Sequence, residues 1–155
     1  MILAIDPGPE VQSFVIFDGK RVVSGGNVSV EELSAILRDN PGLLTACEYI
    51  DFIGMAAGAQ IFATVFNCGR LYAAATVMRL IPRRDIKLHL CGTHRAKDAN
   101  VRQALIDKVG PVGTKKNPGP CYGVSSHLWA ALAVAVTATD CERTNHEVIP
   151  RIVGE

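Results

Sequence analysis

The strongest constraint on the fold is the start of the chain, where an apolar run ends abruptly in a single carboxylate. Residues Ile2–Ile5 are uninterruptedly apolar, which is typical of a central strand that is buried on both faces. Asp6 follows directly, and Pro7-Gly8 then breaks the strand. Because burial of a carboxylate costs free energy, an acid in this position is usually paired, metal-bound or catalytic. The sequence therefore predicts a strand that carries Asp6 to the edge of a sheet.

Strand-like and helix-like segments alternate along the rest of the chain. Leu43–Glu48 is predicted as a second buried strand, and it also ends in an acid. An α/β fold follows, with a mixed five-stranded sheet and helices on both faces. The other predicted strands are Val11–Phe17, Arg21–Gly26 and Arg84–Leu90. The predicted helices are Asn27–Arg38 with Ser29 as N-cap, a long helix from Gly58 that breaks near Asn67–Gly69, Asp98–Val109, and His127–Thr139.

Length and composition favour one globular domain. A chain of 155 residues can bury a sizeable core, and we predict a single domain over residues 1–155 with a loosely ordered tail after about residue 140. No apolar run approaches the roughly 20 residues of a transmembrane helix, and the start lacks the basic segment of a signal peptide. We therefore expect a cytoplasmic protein without a membrane partner. The five cysteines form no CxxC pair, which indicates reduced core thiols rather than zinc ligands or disulfides.

The net charge of +1 conceals a basic segment in the chain. Residues 79–116 carry ten Lys and Arg against three Asp, whereas residues 1–78 carry four basic and eight acidic residues. Such a segment either forms a solvated helix face or binds a polyanion. The glycine- and proline-rich loop around its last two lysines favours a polyanion such as DNA. The predicted phosphate contacts are Arg95, Lys97, Arg102, Lys115 and Lys116.

Asp6 and Glu48 end two predicted strands that can be neighbours in the sheet. Two adjacent carboxylates repel each other unless a cation lies between them. Hard oxygen ligands favour Mg²⁺ or Mn²⁺, and a pair of such ions can promote hydrolysis of a phosphodiester. His127, at the start of the last helix, is a candidate further ligand, and Asp51 is either an additional ligand or a turn cap. Each residue alone also has a structural explanation, as a turn-capping acid, a strand end or a surface histidine.

Taken in order, the motifs of the chain resemble those of the RuvC-like Holliday junction resolvases, especially the compact forms found in bacteriophages and related mobile elements. The resemblance runs from the first residue to about Asp140, and its motifs are specific only in combination. They are Ile-Asp-Pro-Gly-Pro-Glu (5–10), Glu48, Gly54-Met55-x-x-Gly58, Phe62-x-Thr64, Gly69-Arg70, Arg95-Ala-Lys-Asp98, Arg102-Gln-Ala-Leu105, Gly113-Thr-Lys-Lys-Asn-Pro-Gly-Pro120, Tyr122-Gly123 and Trp129-Ala-Ala-Leu-Ala-Val-Ala135.

The resemblance implies an RNase H-like fold and a Mg²⁺-dependent endonuclease, for which Mn²⁺ can substitute. Such an enzyme resolves four-way DNA junctions by paired symmetric nicks and is used in DNA recombination and repair. The resemblance assigns catalysis and metal binding to Asp6, Glu48 and His127, with Asp51 as an auxiliary ligand.

The resemblance also implies a homodimer, because two symmetric nicks require two sites related by a two-fold axis. The dimer contact corresponds to the helical segment of about Gly54–Ala75, and Phe52 would face the junction centre, where an aromatic ring can stack on bases. An alternative for this helix is burial within one chain. Its apolar residues at helical spacing, which we predict as a buried stripe, are Ile61, Phe62, Val65 and Phe66.

One position departs from the family pattern. The resemblance implies two metal-capable residues one helical turn apart at the last helix, and this chain has His127 and Ala130 there. Three alternatives stay open: a working site without the second ligand, a weakened or inactive junction-binding protein whose alanine is natural or engineered, and an RNase H-type nuclease that acts on RNA–DNA hybrids.

Overall fold

The protein folds into a mixed five-stranded sheet with helices on both faces, as the sequence predicts. The computed structural model describes residues 1–51, 54 and 56–143. The strand order is β3-β2-β1-β4-β5; β1 is antiparallel to β2 and parallel to β4, and β4 is parallel to β5. The elements are β1 (Ile2–Asp6), β2 (Gln12–Phe17), β3 (Val22–Val28), α1 (Val30–Asp39), β4 (Leu44–Tyr49), α2 (Ala59–Ala74), β5 (Met78–Pro82), α3 (Arg83–Cys91), α4 (Asp98–Val109) and α5 (Leu128–Arg143).

The alternation of side chains along β1 and β4 divides the core into two layers. Ile5 and Cys47 pack in the layer that contains α1 and α2. Ala4 and Ala46 pack in the opposite layer, which contains α5 together with buried residues of α3 and α4. Because successive side chains of a strand point to opposite faces, the residue after Ile5 and the residue after Cys47 lie on the α5 side. The two strand-end acids therefore share one face of the sheet.

The predicted N-cap of the first helix, Ser29, is confirmed, although the predicted start at Asn27 is wrong because residues 27 and 28 belong to β3. The Ser29 hydroxyl accepts a hydrogen bond from the backbone N–H of Glu32 at 3.2 Å, and the Glu32 carboxylate accepts one from the backbone N–H of Ser29 at 2.9 Å. This reciprocal capping box satisfies two N–H groups that would otherwise lack partners. It directs Leu33 and Leu37 into the core.

The predicted strand over Arg84–Leu90 is wrong. Residues Arg83–Cys91 form α3, and the strand lies earlier, at Met78–Pro82. The apolar residues of α3 alternate with polar ones, which suggested a strand, but Ile86 is its buried residue and Leu88 is 53% exposed. Pro82 directly precedes α3, and proline suits the start of a helix because it lacks a backbone N–H donor. The consequence is that the first residue of α3, Arg83, lies at a helix N-terminus beside the end of β4.

The second helix is continuous, so the predicted break near Asn67–Gly69 is wrong. The predicted buried stripe is also wrong, because that side of α2 faces outward: Phe62 is 66% exposed and Phe66 is 67% exposed. The buried side of the helix is instead narrow and carries both polar and apolar residues. Its residues are Thr64, Asn67, Cys68 and Leu71.

Asn67 fastens α2 to the turn that follows β1. Its side-chain nitrogen donates hydrogen bonds to the carbonyl oxygens of Gly8 and Pro9, both at 3.0 Å. The fully buried Gln12 donates to the Gly8 carbonyl at 3.0 Å and accepts from the Gly8 N–H at 3.2 Å. A Cβ at Gly8 would lie 2.4 Å from a backbone oxygen, so a side chain does not fit there. These contacts hold the turn rigid directly beside Asp6.

Of the cysteines that were predicted to be core thiols, Cys47, Cys68 and Cys121 are buried, whereas Cys91 and Cys141 are half-buried. Helix α5 continues to Arg143, and the rest of the predicted tail lies outside the described residues. Within the described part of the chain, no helix is both long and apolar enough to cross a membrane.

We predict that Asn67→Asp lowers the free energy of unfolding by about 2 kcal/mol, because a carboxylate would face two carbonyl oxygens without donors between them. Urea denaturation measures the change. Asn100→Asp is the matched control, since the Asn100 side-chain oxygen accepts a hydrogen bond from the Lys97 N–H at 3.0 Å and aspartate keeps that acceptor. Equal stability of the two variants would contradict the role assigned to Asn67.

Candidate active site

The ends of β1 and β4 bring Asp6 and Glu48 side by side. The two strands are parallel neighbours in which Ile5 pairs with Cys47. The residues that follow these two, Asp6 and Glu48, are therefore adjacent. Both carboxyl groups are largely withdrawn from solvent: the side chain of Asp6 is 14% exposed and that of Glu48 is 8% exposed. Two like charges thus share a poorly solvated position at the sheet edge.

This crowding changes the proton affinity of both acids. Burial, followed by repulsion from Glu48, raises the pKa of Asp6 to about 6, although Arg83 and His127 act in the opposite direction. Burial likewise raises the pKa of Glu48, against the lowering effect of Arg83. Acids with raised pKa values that line a cleft are characteristic of catalytic and metal-binding sites.

A pocket of about 890 Å³ lies over the two acids. Three helices begin around it: α3 contributes Arg83, α4 contributes Asp98, and Ser126 and His127 precede α5. Helix N-termini carry partial positive charge and favour nearby anions. The pocket therefore combines buried acids with surroundings that suit both carboxylates and phosphates.

His127 extends the acid pair toward solvent. Its Nδ1 lies 3.5 Å from Oδ2 of Asp6, and its side chain is 77% exposed. Ser126, just before it, has a φ of 46°, a left-handed conformation that a non-glycine residue adopts at a sharp turn. Ala130, one helical turn later, also lines the pocket. The methyl group thus lies where the family pattern would place a second ligand.

Arg83 is the site residue that the sequence analysis missed. Its Nη1 donates to both carboxylate oxygens of Glu48, at 2.9 and 3.0 Å, and its Nη2 donates to Oδ1 of Asp98 at 2.8 Å. The incorrect strand prediction hid this role, because it left Arg83 outside any regular element. The available signal was the pair of arginines directly after Pro82, a residue that suits a helix start.

Asp51 is not brought to the acid pair. Asp51 lines a neighbouring pocket with Leu88 and His94. Its Oδ2 lies 3.7 Å from Nε of Arg84. Phe52 lies outside the described residues.

The five predicted phosphate-binding residues, Arg95, Lys97, Arg102, Lys115 and Lys116, are all exposed. The guanidinium of Arg102 lies 4.9 Å from the centre of the Trp129 ring, and this ring lines the pocket. The two loop lysines occupy the tip of a tight turn, closed by a 2.9 Å hydrogen bond from the Thr114 N–H to the Asn117 carbonyl. The contact with Trp129 thus links Arg102 to the pocket wall, while Arg83 and Lys87 line the pocket itself.

The residues of the pocket fit a divalent cation by their chemistry. Two buried carboxylates with raised pKa values face one cavity, and a cation between them would offset both their burial and their repulsion. Their present arrangement is incomplete, because among the described residues no group of three or more His, Cys, Asp or Glu side chains converges closely enough to hold a metal ion. At Glu48 the guanidinium of Arg83 takes the place of such an ion.

The chain is similar in fold to solved structures of a bacterial protein. One is a Thermus thermophilus RuvC structure, with a TM-score of 0.66 and 21% sequence identity over 93% of this chain and 96% of that chain. Another is T. thermophilus RuvC in complex with a Holliday junction substrate, with a TM-score of 0.64 and 19% identity over 93% and 95% of the two chains. No protein-family model and no curated protein matches the sequence. The likeness confirms the predicted fold, the RuvC form of the RNase H-like architecture.

We predict that Asp6→Asn stabilises the metal-free protein at neutral pH. The pKa of Asp6 in the folded chain, about 6, exceeds its ordinary value of 3.8. The ionised group therefore destabilises the fold above about pH 6, and this cost disappears as the pH falls below the ordinary value. We expect the substitution to add about 2 kcal/mol at neutral pH and little near pH 4.

Urea denaturation in EDTA at the two pH values tests this prediction. Asp39→Asn is the control, because Asp39 is an exposed acid at the end of α1. A gain for Asp6→Asn that is the same at both pH values would contradict burial of the ionised acid as its cause.

Proposed function

We propose that this chain is a structure-selective endodeoxyribonuclease that resolves four-way DNA junctions by paired symmetric nicks. The observation that carries the proposal is the pair of buried acids at the ends of two parallel strands, under a pocket ringed by helix starts and basic residues. The same fold occurs in T. thermophilus RuvC, one structure of which is a complex with a Holliday junction substrate.

Asp6, Glu48 and His127 would hold a divalent cation, for which Mg²⁺ is the proposed ion and Mn²⁺ a substitute. Bound there, the ion would supply activation of water and stabilisation of charge on a phosphodiester. His127 is exposed to the pocket and is placed to orient an attacking water or to accept its proton. Asp51 belongs to the neighbouring pocket, so its auxiliary role would require a change in its side-chain position.

Positive side chains would position the DNA around this centre. Arg83 and Lys87 line the pocket itself and can neutralise charge on a bound phosphate. The exposed group of Arg95, Lys97, Arg102, Lys115 and Lys116 can contact the backbone farther out. Such contacts position DNA without reading its sequence, so the preference for a junction would come from shape.

A second copy of this chain is the proposed occupant of the exposed face of α2. Apolar residues repeat along that face, and Phe62, Phe66 and Tyr72 are each more than half exposed. Gly69 lies between them with open space beyond its α-carbon, so another helix can approach closely. A two-fold dimer buries the same patch on both copies, and it supplies the two active sites that paired nicks require.

Phe66→Glu is predicted to convert the dimer into monomers, because each interface would bury two carboxylates without partners. Analytical ultracentrifugation should give about twice the 16.6 kDa chain mass for the native protein and one chain mass for the variant. Val23→Glu is the matched control, since Val23 is 53% exposed on β3, away from α2. A native monomer, or loss of the dimer only in the control, would overturn this interface.

Asp6→Asn is predicted to lower the rate of junction cleavage at least about a thousandfold, because one carboxylate of the metal site is lost. In EDTA, where no metal ion contributes, binding of the junction should stay within a few-fold of the native value, since phosphate contacts lie elsewhere. Cleavage of a labelled four-way junction in Mg²⁺ and in Mn²⁺ measures the rate, with a linear duplex and an RNA–DNA hybrid as competing substrates.

Asp39→Asn serves again as the control and should cleave at the native rate. Native-like cleavage by Asp6→Asn would overturn the site assignment. Preference of the native protein for the RNA–DNA hybrid would favour an RNase H-type enzyme instead.

A junction-binding protein without nuclease activity is the second candidate, and Ala130 in the pocket wall is the observation that favours it. This candidate predicts tight binding of the junction by the native protein without nicks in either metal. Cleavage that appears only in Ala130→Asp would identify position 130 as the missing ligand.

A further inference from the structure

The guanidinium of Arg83 is built into the pocket between two acids of different exposure. One nitrogen, Nη1, contacts both oxygens of Glu48, at 2.9 and 3.0 Å, while Nη2 contacts Asp98 at 2.8 Å. The side chain of Glu48 is 8% exposed, whereas that of Asp98 is 78% exposed. Arg83 thus connects the buried acid at the sheet edge to the solvent-exposed rim formed by the start of α4.

Glu48 can bind a metal ion in the pocket only if this contact changes. Both of its oxygens already face a positive charge, and a divalent cation placed against the same oxygens would be repelled by the guanidinium. The side chain of Arg83 is itself 42% exposed, so its outer end is free to reorient. Asp98 can keep one nitrogen at the rim while the other leaves Glu48.

A DNA phosphate is the natural competitor for the released guanidinium. The planar fork of arginine matches the geometry of phosphate oxygens and binds them through paired hydrogen bonds. Arg83 and Lys87 both line the pocket, and Lys87 lies 3.5 Å from Asp98. A phosphate at the rim would therefore meet two cations on the same side of the acid pair.

We propose that Arg83 is a displaceable internal cation, which neutralises Glu48 in the free protein and moves to a DNA phosphate when a junction binds. This inference rests on the metal site of the proposed function and deepens it. Metal binding and DNA binding then strengthen each other. The metal ion displaces the guanidinium from Glu48, and the DNA phosphate gives the guanidinium a new partner. Such coupling is reciprocal: the metal must strengthen DNA binding by the factor by which DNA strengthens metal binding.

Binding of Mn²⁺ to the DNA-free protein, followed by electron paramagnetic resonance, gives the first test. We expect Arg83→Gln to bind Mn²⁺ about tenfold more tightly than the native protein, because the competing charge is gone. Arg84→Gln is the matched control: it removes the same charge one residue away, from a side chain that contacts Asp51 and Asp85 rather than Glu48. The control should stay within about twofold of the native affinity.

The second test measures the coupling through DNA affinity. The dissociation constant of a labelled four-way junction is determined by fluorescence anisotropy, with and without millimolar Ca²⁺ as a probe cation. We expect Ca²⁺ to strengthen junction binding in the native protein and in Arg84→Gln, and this gain to be lost in Arg83→Gln. Arg83→Lys, which keeps the charge, should retain part of the gain.

The outcomes separate this inference from the proposed function. Equal Mn²⁺ affinity of the native protein and a folded Arg83→Gln, with junction cleavage intact in the native protein, overturns the role of Arg83 alone. Absence of Mn²⁺ binding in both proteins overturns the inference together with the metal site. If circular dichroism shows that Arg83→Gln does not fold, Arg83→Lys decides: a calcium gain smaller than that of Arg84→Gln supports the role of Arg83, and a gain equal to that of Arg84→Gln overturns it.

Discussion

Repulsion between two buried carboxylates is the constraint on which the rest of the site depends. Parallel pairing of β1 with β4 places Asp6 and Glu48 next to each other, and the alternation of side chains puts both on the α5 side of the sheet. The turn that follows Asp6 is fastened by Gln12 and Asn67, which holds this acid in place beside Glu48. The fold therefore needs positive charge at this one edge, and the surrounding elements supply it in several forms.

The positive charge comes from groups that sequence order keeps far apart. Arg83 begins α3, Lys87 follows one turn later, and His127 precedes α5. Helices α3 and α5 both begin at this pocket, and their N-termini add partial charges of the same sign. The pocket is consequently a place where carboxylates, phosphates and cations compete for the same partners, and that competition would be the physical basis of the proposed catalysis.

Sequence reasoning predicted that Asp6 and Glu48 lie side by side because their signal is local, and the structure brings the two residues together. An apolar run that ends in an acid is visible in a few residues, and it occurred at both Asp6 and Glu48. The fold class followed from the alternation of strands and helices. The contribution of Arg83 was missed for the opposite reason: the period-two pattern of Ile86, Leu88 and Leu90 predicted a strand, and only tertiary packing, which buries Ile86 and leaves Leu88 exposed, shows a helix. Asn67 and Gln12 were missed because their partners are backbone atoms, which leave no mark in the sequence.

The outward face of α2 illustrates a related limit. Apolar residues at helical spacing predict burial but do not say against what. In this chain the sheet buries the narrower face that contains Asn67 and Leu71, while Phe62 and Phe66 remain exposed. An exposed apolar face opposite a buried face of mixed polarity is the pattern expected of a helix whose exposed face takes part in an interface, as proposed above.

Two features of the pocket both make its net charge less negative. The family pattern expects a second ligand at position 130, where this chain has an alanine, and a guanidinium occupies the oxygens of Glu48. An alanine at position 130 and a guanidinium on Glu48 make the pocket a poorer site for a free metal ion and a better one for phosphate. In such a pocket the phosphate is favoured to arrive first, because it provides the partner that frees Glu48. A nuclease built in this way would assemble its metal site on bound DNA, and selection of the correct DNA shape would precede any chemistry.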